Sequence, residues 1–138
     1  MKNKKIILGL VGSGKSTLYR KLNEEKVANA VEIELPQICI GNDKLKEQLF
    51  ELFLKDENID IIITHPYFLC NNFQDIINKN GISVQYEFLE IPFTERCARI
   101  RNRSDSIKSD CKIFSLKFLQ QEEEALTALT TILNKEIL

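Results

Sequence analysis

The sequence predicts an α/β fold built on a small parallel β-sheet, and three observations support this class. Residues 5–11 and 59–64 are nearly continuous runs of Ile, Leu and Val, as expected for central strands that helices cover on both faces. Residues 31–35 and 84–88 alternate apolar and polar side chains instead, which places them at the edges of the sheet. Helical patterns separate these runs, and such alternation is typical of α/β domains with right-handed crossovers.

Five helices are predicted between and after these strands. They cover, in order, the residues that follow Lys15, about 43–55, about 73–79, the segment from Pro92 to about Arg103, and about 114–135. The second and the last carry apolar residues at helical spacing. The third ends at Asn80-Gly81, a common signal for the end of a helix.

The composition indicates one folded domain over residues 1–138. The chain is 43% hydrophobic and 28% charged, a globular mixture that excludes disorder and low-complexity scaffolds. A formal charge of −1 excludes a generally basic surface, so a nucleic-acid role would need a local basic groove. The four cysteines form no CxxC pair and the chain has one histidine, so no zinc site is expected. Without a secretory signal or a membrane-length apolar run near the start, we expect a cytoplasmic protein with reduced thiols and no membrane association.

One sequence motif, at residues 9–16, indicates a binding function. Residues 9–16, Gly-Leu-Val-Gly-Ser-Gly-Lys-Ser, match G-x-x-x-x-G-K-[ST] completely, the P-loop or Walker A motif. The match follows a predicted buried strand and opens a helix, as the motif requires. Its glycines let successive backbone N–H groups point at a polyphosphate, assisted by the helix N-terminus. The motif therefore predicts a nucleoside-triphosphate site.

Specific residues of this loop have expected roles. The residues expected to hold the triphosphate and the metal are Gly12, Ser13, Gly14, Lys15, Ser16 and Thr17. Lys15 would neutralise the β- and γ-phosphate oxygens, and the Ser16 hydroxyl would bind Mg²⁺.

The acidic residue that follows the neighbouring strand in many P-loop proteins is missing. The predicted strand ends in Thr64 and is followed by His65 and Pro66. His65 would lie at the carboxyl end of a central strand, where ligands bind in open α/β sheets. Two interpretations stay open: a structural hydrogen bonder, or a residue that contacts the substrate or relays a proton.

A basic segment follows the last predicted strand. Residues 96–112 contain six basic and two acidic side chains. Arg99 and Arg103 are four residues apart and share a helix face, and Arg96 extends this row. Phosphoryl-transfer enzymes use arginines to neutralise charge on the transferring phosphate, so Arg99 and Arg103 are candidate catalytic residues. The alternative is an ordinary solvated helix face.

Three stretches give the chain a family resemblance. The P-loop at 9–17, the strand end at 61–65 and the segment at 88–103 together resemble P-loop kinases, most of all the kinase domain of bacteriophage-type polynucleotide 5′-hydroxyl kinases. The resemblance implies a P-loop NTPase three-layer fold with a parallel sheet ordered 2-3-1-4 and ATP as the phosphate donor. It also implies a lid at about 93–112, in which Arg99 and Arg103 bind nucleotide phosphates.

The chain departs from this family where catalytic carboxylates are expected. The family has an Asp just after the second strand as general base, whereas the register here gives Leu35-Pro36-Gln37. Glu34 is the nearest carboxylate and becomes the candidate base, a solvated edge-strand charge being the alternative. The family's next Asp is His65 here, so Glu34 and His65 are the candidate acceptor contacts and the acceptor itself can differ.

These features favour an ATP- and Mg²⁺-dependent phosphotransferase. The expected acceptor is a nucleic-acid 5′-hydroxyl, a nucleoside or a nucleotide, on the resemblance alone. The missing carboxylates leave a catalytically degenerate nucleotide-binding switch as one alternative. A kinase for another small metabolite is the second, with residues 38–53 lining its acceptor pocket.

Overall fold

A four-stranded parallel sheet forms the centre of the computed structural model, which describes residues 2–25, 29–33, 42–106 and 116–137. The strands are β1 (Lys2–Gly9), β2 (Ala30–Ile33), β3 (Ile61–Thr64) and β4 (Ile82–Leu89). They lie in the order β2-β3-β1-β4, and each neighbouring pair is parallel. The predicted order, with the two apolar strands in the centre, is confirmed.

In the described residues, five α-helices flank the sheet. They are α1 (Lys15–Glu25), α2 (Asp43–Lys55), α3 (Phe73–Lys79), α4 (Phe93–Ser106) and α5 (Leu116–Ile137). The bounds of α2 and α3 are the predicted ones. A 3₁₀ helix over Pro66–Phe68, which the sequence pattern does not predict, follows β3. No helix in the described part of the chain is both long and apolar enough to cross a bilayer.

Strand β1 differs from its predicted span at both ends. It begins at Lys2 and ends at Gly9, whereas the apolar run covers residues 5–11. The start is earlier because residues 2–5 pair in register with the first residues of β4. The end is earlier because Leu10 and Val11 belong to the loop before α1. Apolar character therefore locates this strand but does not fix its ends.

The main core lies on one face of the sheet. Ile6 and Leu8 of β1 share this face because side chains of a strand alternate, and Ile62 pairs with Ile6. They pack with buried side chains of α2, the 3₁₀ helix, α3 and α5. At the carboxyl ends of the strands, the buried Thr64 hydroxyl donates to the Ile33 carbonyl oxygen at 2.8 Å. This bond holds the ends of β3 and β2 together beside the P-loop.

Candidate active site

A tight loop connects β1 to α1. Gly12 and Gly14 have φ angles of 79° and 96°, in the left-handed region that side-chain-bearing residues rarely adopt. At Gly9 a Cβ would lie 2.4 Å from the Ser13 hydroxyl oxygen, so a side chain does not fit there. Because α1 begins directly after the loop, the unpaired N–H groups of its first turn face this region. The backbone has the form of an anion-binding loop.

Three polar residues of the P-loop have different surroundings. The Lys15 ammonium donates to the carbonyl oxygens of Gly9 and Leu10 at 2.8 and 3.0 Å. Ser13 is buried, and its hydroxyl has no hydrogen-bond partner among the described residues. Thr17 is exposed on α1. The lysine therefore already lies across the mouth of the loop, where a polyphosphate would meet it.

A carboxylate lies beside the predicted metal ligand. The Ser16 hydroxyl donates to Oε1 of Glu32 at 2.8 Å, and Glu32 is on β2. Oxygen ligands of these two kinds suit Mg²⁺, so the pair fits the ion that accompanies a nucleoside triphosphate. The sequence pattern does not single out Glu32. The one sequence feature that points to Glu32 is that it shares a strand face with the candidate base Glu34. Glu34 itself lies outside the described residues.

Helix α4 packs directly on the P-loop. A Cβ at Gly12 would lie 2.9 Å from Cγ1 of Ile100 and 3.3 Å from the backbone oxygen of Arg96. Gly12 is therefore required by the close approach of α4 as well as by its φ angle. A Cβ at Gly14 would lie 3.6 Å from Nη1 of Arg99. The structure thus places the Arg99 guanidinium beside the phosphate-binding loop.

Two further arginines of the predicted lid helix are Arg103 and Arg96. Arg103 is on α4, one turn beyond Arg99, and its side chain is outside the described residues. Arg96 is one turn before Arg99 and Ile100 on α4, but its environment differs from that of Arg99. Arg96 is 1% exposed, because its guanidinium lies in a buried cluster with α5.

The buried cluster joins α4, α5 and the P-loop. Arg96 donates from Nη1 to the Val11 carbonyl oxygen at 2.7 Å and to Oε1 of Glu122 at 3.0 Å. Its Nη2 donates to the Leu119 carbonyl oxygen at 3.0 Å, and its Nε donates to Oε1 of Glu123 at 3.1 Å. All three nitrogens of the guanidinium are therefore satisfied by protein atoms.

His65 belongs to the same cluster. Its Nδ1 accepts a hydrogen bond from the Tyr67 backbone N–H at 3.0 Å, so Nε2 carries the proton and donates to Oε2 of Glu122. The ring also contacts Tyr67, with centroids 4.7 Å apart. With both nitrogens engaged and the side chain buried, this geometry favours the structural interpretation of His65.

The protonation states in the cluster follow from its charges. Burial lowers the pKa of His65; Glu122 raises it, and the charges of Lys15 and Arg96 lower it further. Burial raises the pKa of Glu122, but hydrogen bonds from His65 and Arg96 and the Arg96 charge outweigh it, and the pKa stays below its usual range. The buried part of the cluster therefore pairs the Arg96 cation with the Glu122 carboxylate beside a neutral imidazole, and Arg96 forms a second ion pair with the partly exposed Glu123.

A cavity of about 440 Å³ adjoins the P-loop. Its walls come from Leu10, the turn between β4 and α4, Arg96 and the middle of α5. This volume is within the usual range of small-molecule sites, roughly 300–1,000 Å³.

Two of the solved structures that are similar to this chain share its fold at low sequence identity. One is a chain of the Pnkp1/Rnl/Hen1 RNA repair complex, with a TM-score of 0.65 and 17% identity over 94% of this chain and 45% of that one. The other is a gluconokinase from Sinorhizobium meliloti 1021, with a TM-score of 0.56 and 16% identity over 89% of this chain and 74% of that one. This chain has the P-loop kinase fold.

The likeness to these proteins is one of structure. Neither a scan against protein-family models nor a search of curated proteins gives a match. The chain spans less than half the length of the RNA repair protein, 45%. The fold agrees with the site geometry, because ligands of open α/β sheets bind at the carboxyl ends of the strands.

Proposed function

We propose that this chain is an ATP- and Mg²⁺-dependent phosphotransferase. The observation that carries the proposal is the hydrogen bond between Ser16 and Glu32. A carboxylate beside the metal-binding hydroxyl supplies a charge that the strand end at Thr64 and His65 lacks. It favours an enzyme over a binding protein that has lost its acidic residues.

The P-loop residues Gly12–Thr17 would hold the triphosphate. Lys15, now bonded to two loop carbonyls, would turn its ammonium to the β- and γ-phosphate oxygens. Ser16 and Glu32 would hold Mg²⁺, which when bound neutralises charge on those phosphates. Arg99, beside Gly14, would stabilise charge that develops on the transferring group, with Arg103 next along the helix.

The transfer would be an in-line displacement. The acceptor hydroxyl oxygen bonds to the γ-phosphorus, the bond from that phosphorus to the β–γ bridging oxygen breaks, and ADP leaves. The hydroxyl proton goes to a carboxylate, for which we propose Glu34. Glu122, buried beside His65, accepts a hydrogen bond from the Val11 N–H of the P-loop at 3.5 Å.

We propose a nucleic-acid 5′-hydroxyl, a nucleoside or a nucleotide as the acceptor. The resemblance in three sequence stretches supports this class, as does structural likeness to a chain of an RNA repair complex. Likeness to a gluconokinase, of which this chain covers 74%, supports a second candidate, a kinase for a small hydroxylated metabolite.

The test is transfer of labelled γ-phosphate from ATP. The acceptors are 5′-hydroxyl DNA and RNA oligonucleotides, nucleosides, nucleoside monophosphates and gluconate. We expect Glu32→Gln to lower transfer by roughly 100-fold or more, because removing one preorganised electrostatic group typically costs 10²–10³ in kcat. The same variant should retain ATP binding, since the P-loop amides and Lys15 are unchanged.

The matched control is Glu24→Gln, which removes the same charge from an exposed position on α1 and should leave transfer unchanged. Lys15→Ala should lose both binding and transfer. ATP binding without transfer to any acceptor would contradict the phosphotransferase and favour the nucleotide-binding switch. Transfer to gluconate alone would favour the small-metabolite kinase.

A further inference from the structure

The Arg96–Glu122 pair connects α5 to the part of α4 that covers the P-loop. We propose that Glu122 is a positioning residue: by fixing Arg96, it holds α4 on the P-loop in the position that brings Arg99 to the phosphates. This inference rests on the proposed function, since it assigns Arg99 to a bound triphosphate. It adds a residue on α5, far along the chain from every motif in the sequence.

The burial of the pair is the first step of the argument. Arg96 and Glu122 are 1% and 0% exposed, and a buried charge without its partner is strongly unfavourable. Arg96 is further restrained by the Val11 and Leu119 carbonyl oxygens. Movement of the start of α4 away from the P-loop would break these bonds together. The start of α4 is therefore fixed, not free to open.

The second step is the short distance from the anchor to the phosphate loop. Arg96 and Ile100 both border Gly12, and Arg99 borders Gly14. Arg96, Arg99 and Ile100 belong to one turn of α4, which moves as a unit. Arg99 itself bonds Glu95 on the surface, so that pair does not fix its position relative to the loop. The buried contacts of Arg96 fix the position of this turn relative to the loop.

The third step is that the two oxygens of Glu122 accept hydrogen bonds from three different donors. Oε1 accepts from Arg96, and Oε2 accepts from His65 and, at 3.5 Å, from the Val11 backbone N–H. A glutamine has one acceptor oxygen and one NH₂ group that only donates. In either orientation its NH₂ would face a donor, either Arg96 or the His65 Nε2–H and the Val11 N–H, and at least one bond would be lost. Glu122→Gln is thus a near-isosteric change that loosens the anchor.

The experiment is a double-mutant cycle between Glu122→Gln and Arg99→Ala, read by ATP affinity in calorimetry. Loss of a charge-assisted hydrogen bond to phosphate should weaken binding about tenfold in the Arg99→Ala variant. In the Glu122→Gln background, where Arg99 is no longer held in place, the same substitution should have an effect below about twofold. Circular dichroism and urea titration confirm that each variant is folded under the conditions used.

The control is Glu124→Gln, an exposed position of α5 two residues from the anchor. In that background Arg99→Ala should keep its full effect. Equal effects of Arg99→Ala in the wild-type and Glu122→Gln backgrounds would overturn the proposal, because a purely structural role of Glu122 leaves the two changes independent.

Hydrogen exchange separates failure of this inference from failure of the proposed function. Amides of residues 96–100 should lose protection in Glu122→Gln while those of α2 keep theirs, and this readout needs no ligand. If the wild-type chain binds no ATP, the proposed function fails. Loss of protection at 96–100 would then still support the anchor, and unchanged protection would overturn it.

Discussion

Two arginines three residues apart on α4 have opposite environments. Arg96 is 1% exposed and donates to four protein oxygens, including those of Glu122 and Glu123. The Arg99 side chain is 47% exposed and forms an ion pair with Glu95 one turn earlier on the same helix. Both are arginine–glutamate pairs of ordinary length, 3.0 and 2.9 Å. Only the Arg96–Glu122 pair is buried.

The difference separates holding a helix from binding a ligand. An exposed ion pair contributes roughly 0–1 kcal/mol, so Arg99 can exchange its carboxylate for a phosphate at little cost. Breaking a buried pair costs about 3–5 kcal/mol, so Arg96 is not available to a ligand. One helix therefore carries a fixed arginine that anchors it and a replaceable arginine that faces the site.

The largest effect is expected when the buried arginine is removed. Arg96→Ala would leave Glu122 buried without its cation, and the free energy of unfolding should fall by about 3–5 kcal/mol. The measurement is urea unfolding at pH 7.5, followed by circular dichroism. Arg99→Ala is the matched substitution on the same helix and should leave the unfolding midpoint unchanged. Similar losses for the two variants would contradict the comparison.

A smaller effect is expected from the pH dependence of the buried cluster. Because the pKa of His65 is lowered in the folded chain, the unfolded chain binds a proton more readily. Stability is therefore full above the ordinary histidine value of about 6.5 and falls as the pH drops below it. Unfolding midpoints measured between pH 7.5 and 5.5 should fall for the wild-type chain.

The matched variant for this measurement is His65→Gln, which removes the only histidine of the sequence and keeps an N–H donor for Glu122. Its unfolding midpoint should depend less on pH over that range. In the wild-type chain Glu122 keeps its charge there, because hydrogen bonds from His65 and Arg96 hold its pKa below its usual range. An unchanged slope in His65→Gln would assign the pH dependence to other groups.

The fold was accessible to sequence reasoning because it depends on local patterns. Continuous apolar runs locate β1 and β3, alternation locates β2 and β4, and both kinds of signal are properties of neighbouring residues. The phosphate loop could be predicted for the same reason, because its residues 9–16 form one continuous motif. Strand ends are less accessible, because pairing and the loop after Gly9 decide where β1 begins and ends.

The anchor was not accessible in this way. Arg96 and Glu122 are 26 residues apart, and nothing in the spacing of charges distinguishes Arg96 from Arg99. The helical row puts both in one series on the predicted helix, whereas in the structure α5 covers Arg96 alone of the two. Glu32 was missed for a related reason: its partner Ser16 is on a different element, and only the packing of α1 against β2 brings the start of the helix to the end of the strand.

The smallest effect is expected from the exposed pair itself. Glu95→Gln would remove the carboxylate that competes with phosphate for Arg99, and ATP affinity should rise by about two- to threefold, the size expected for one exposed ion pair. The unfolding midpoint should not change. In the Arg99→Ala background the gain should vanish, because no arginine is left to release. A gain that persists without Arg99 would show that Glu95 acts through its charge on the whole site, and Arg99 would then not be the replaceable partner that the comparison with Arg96 requires.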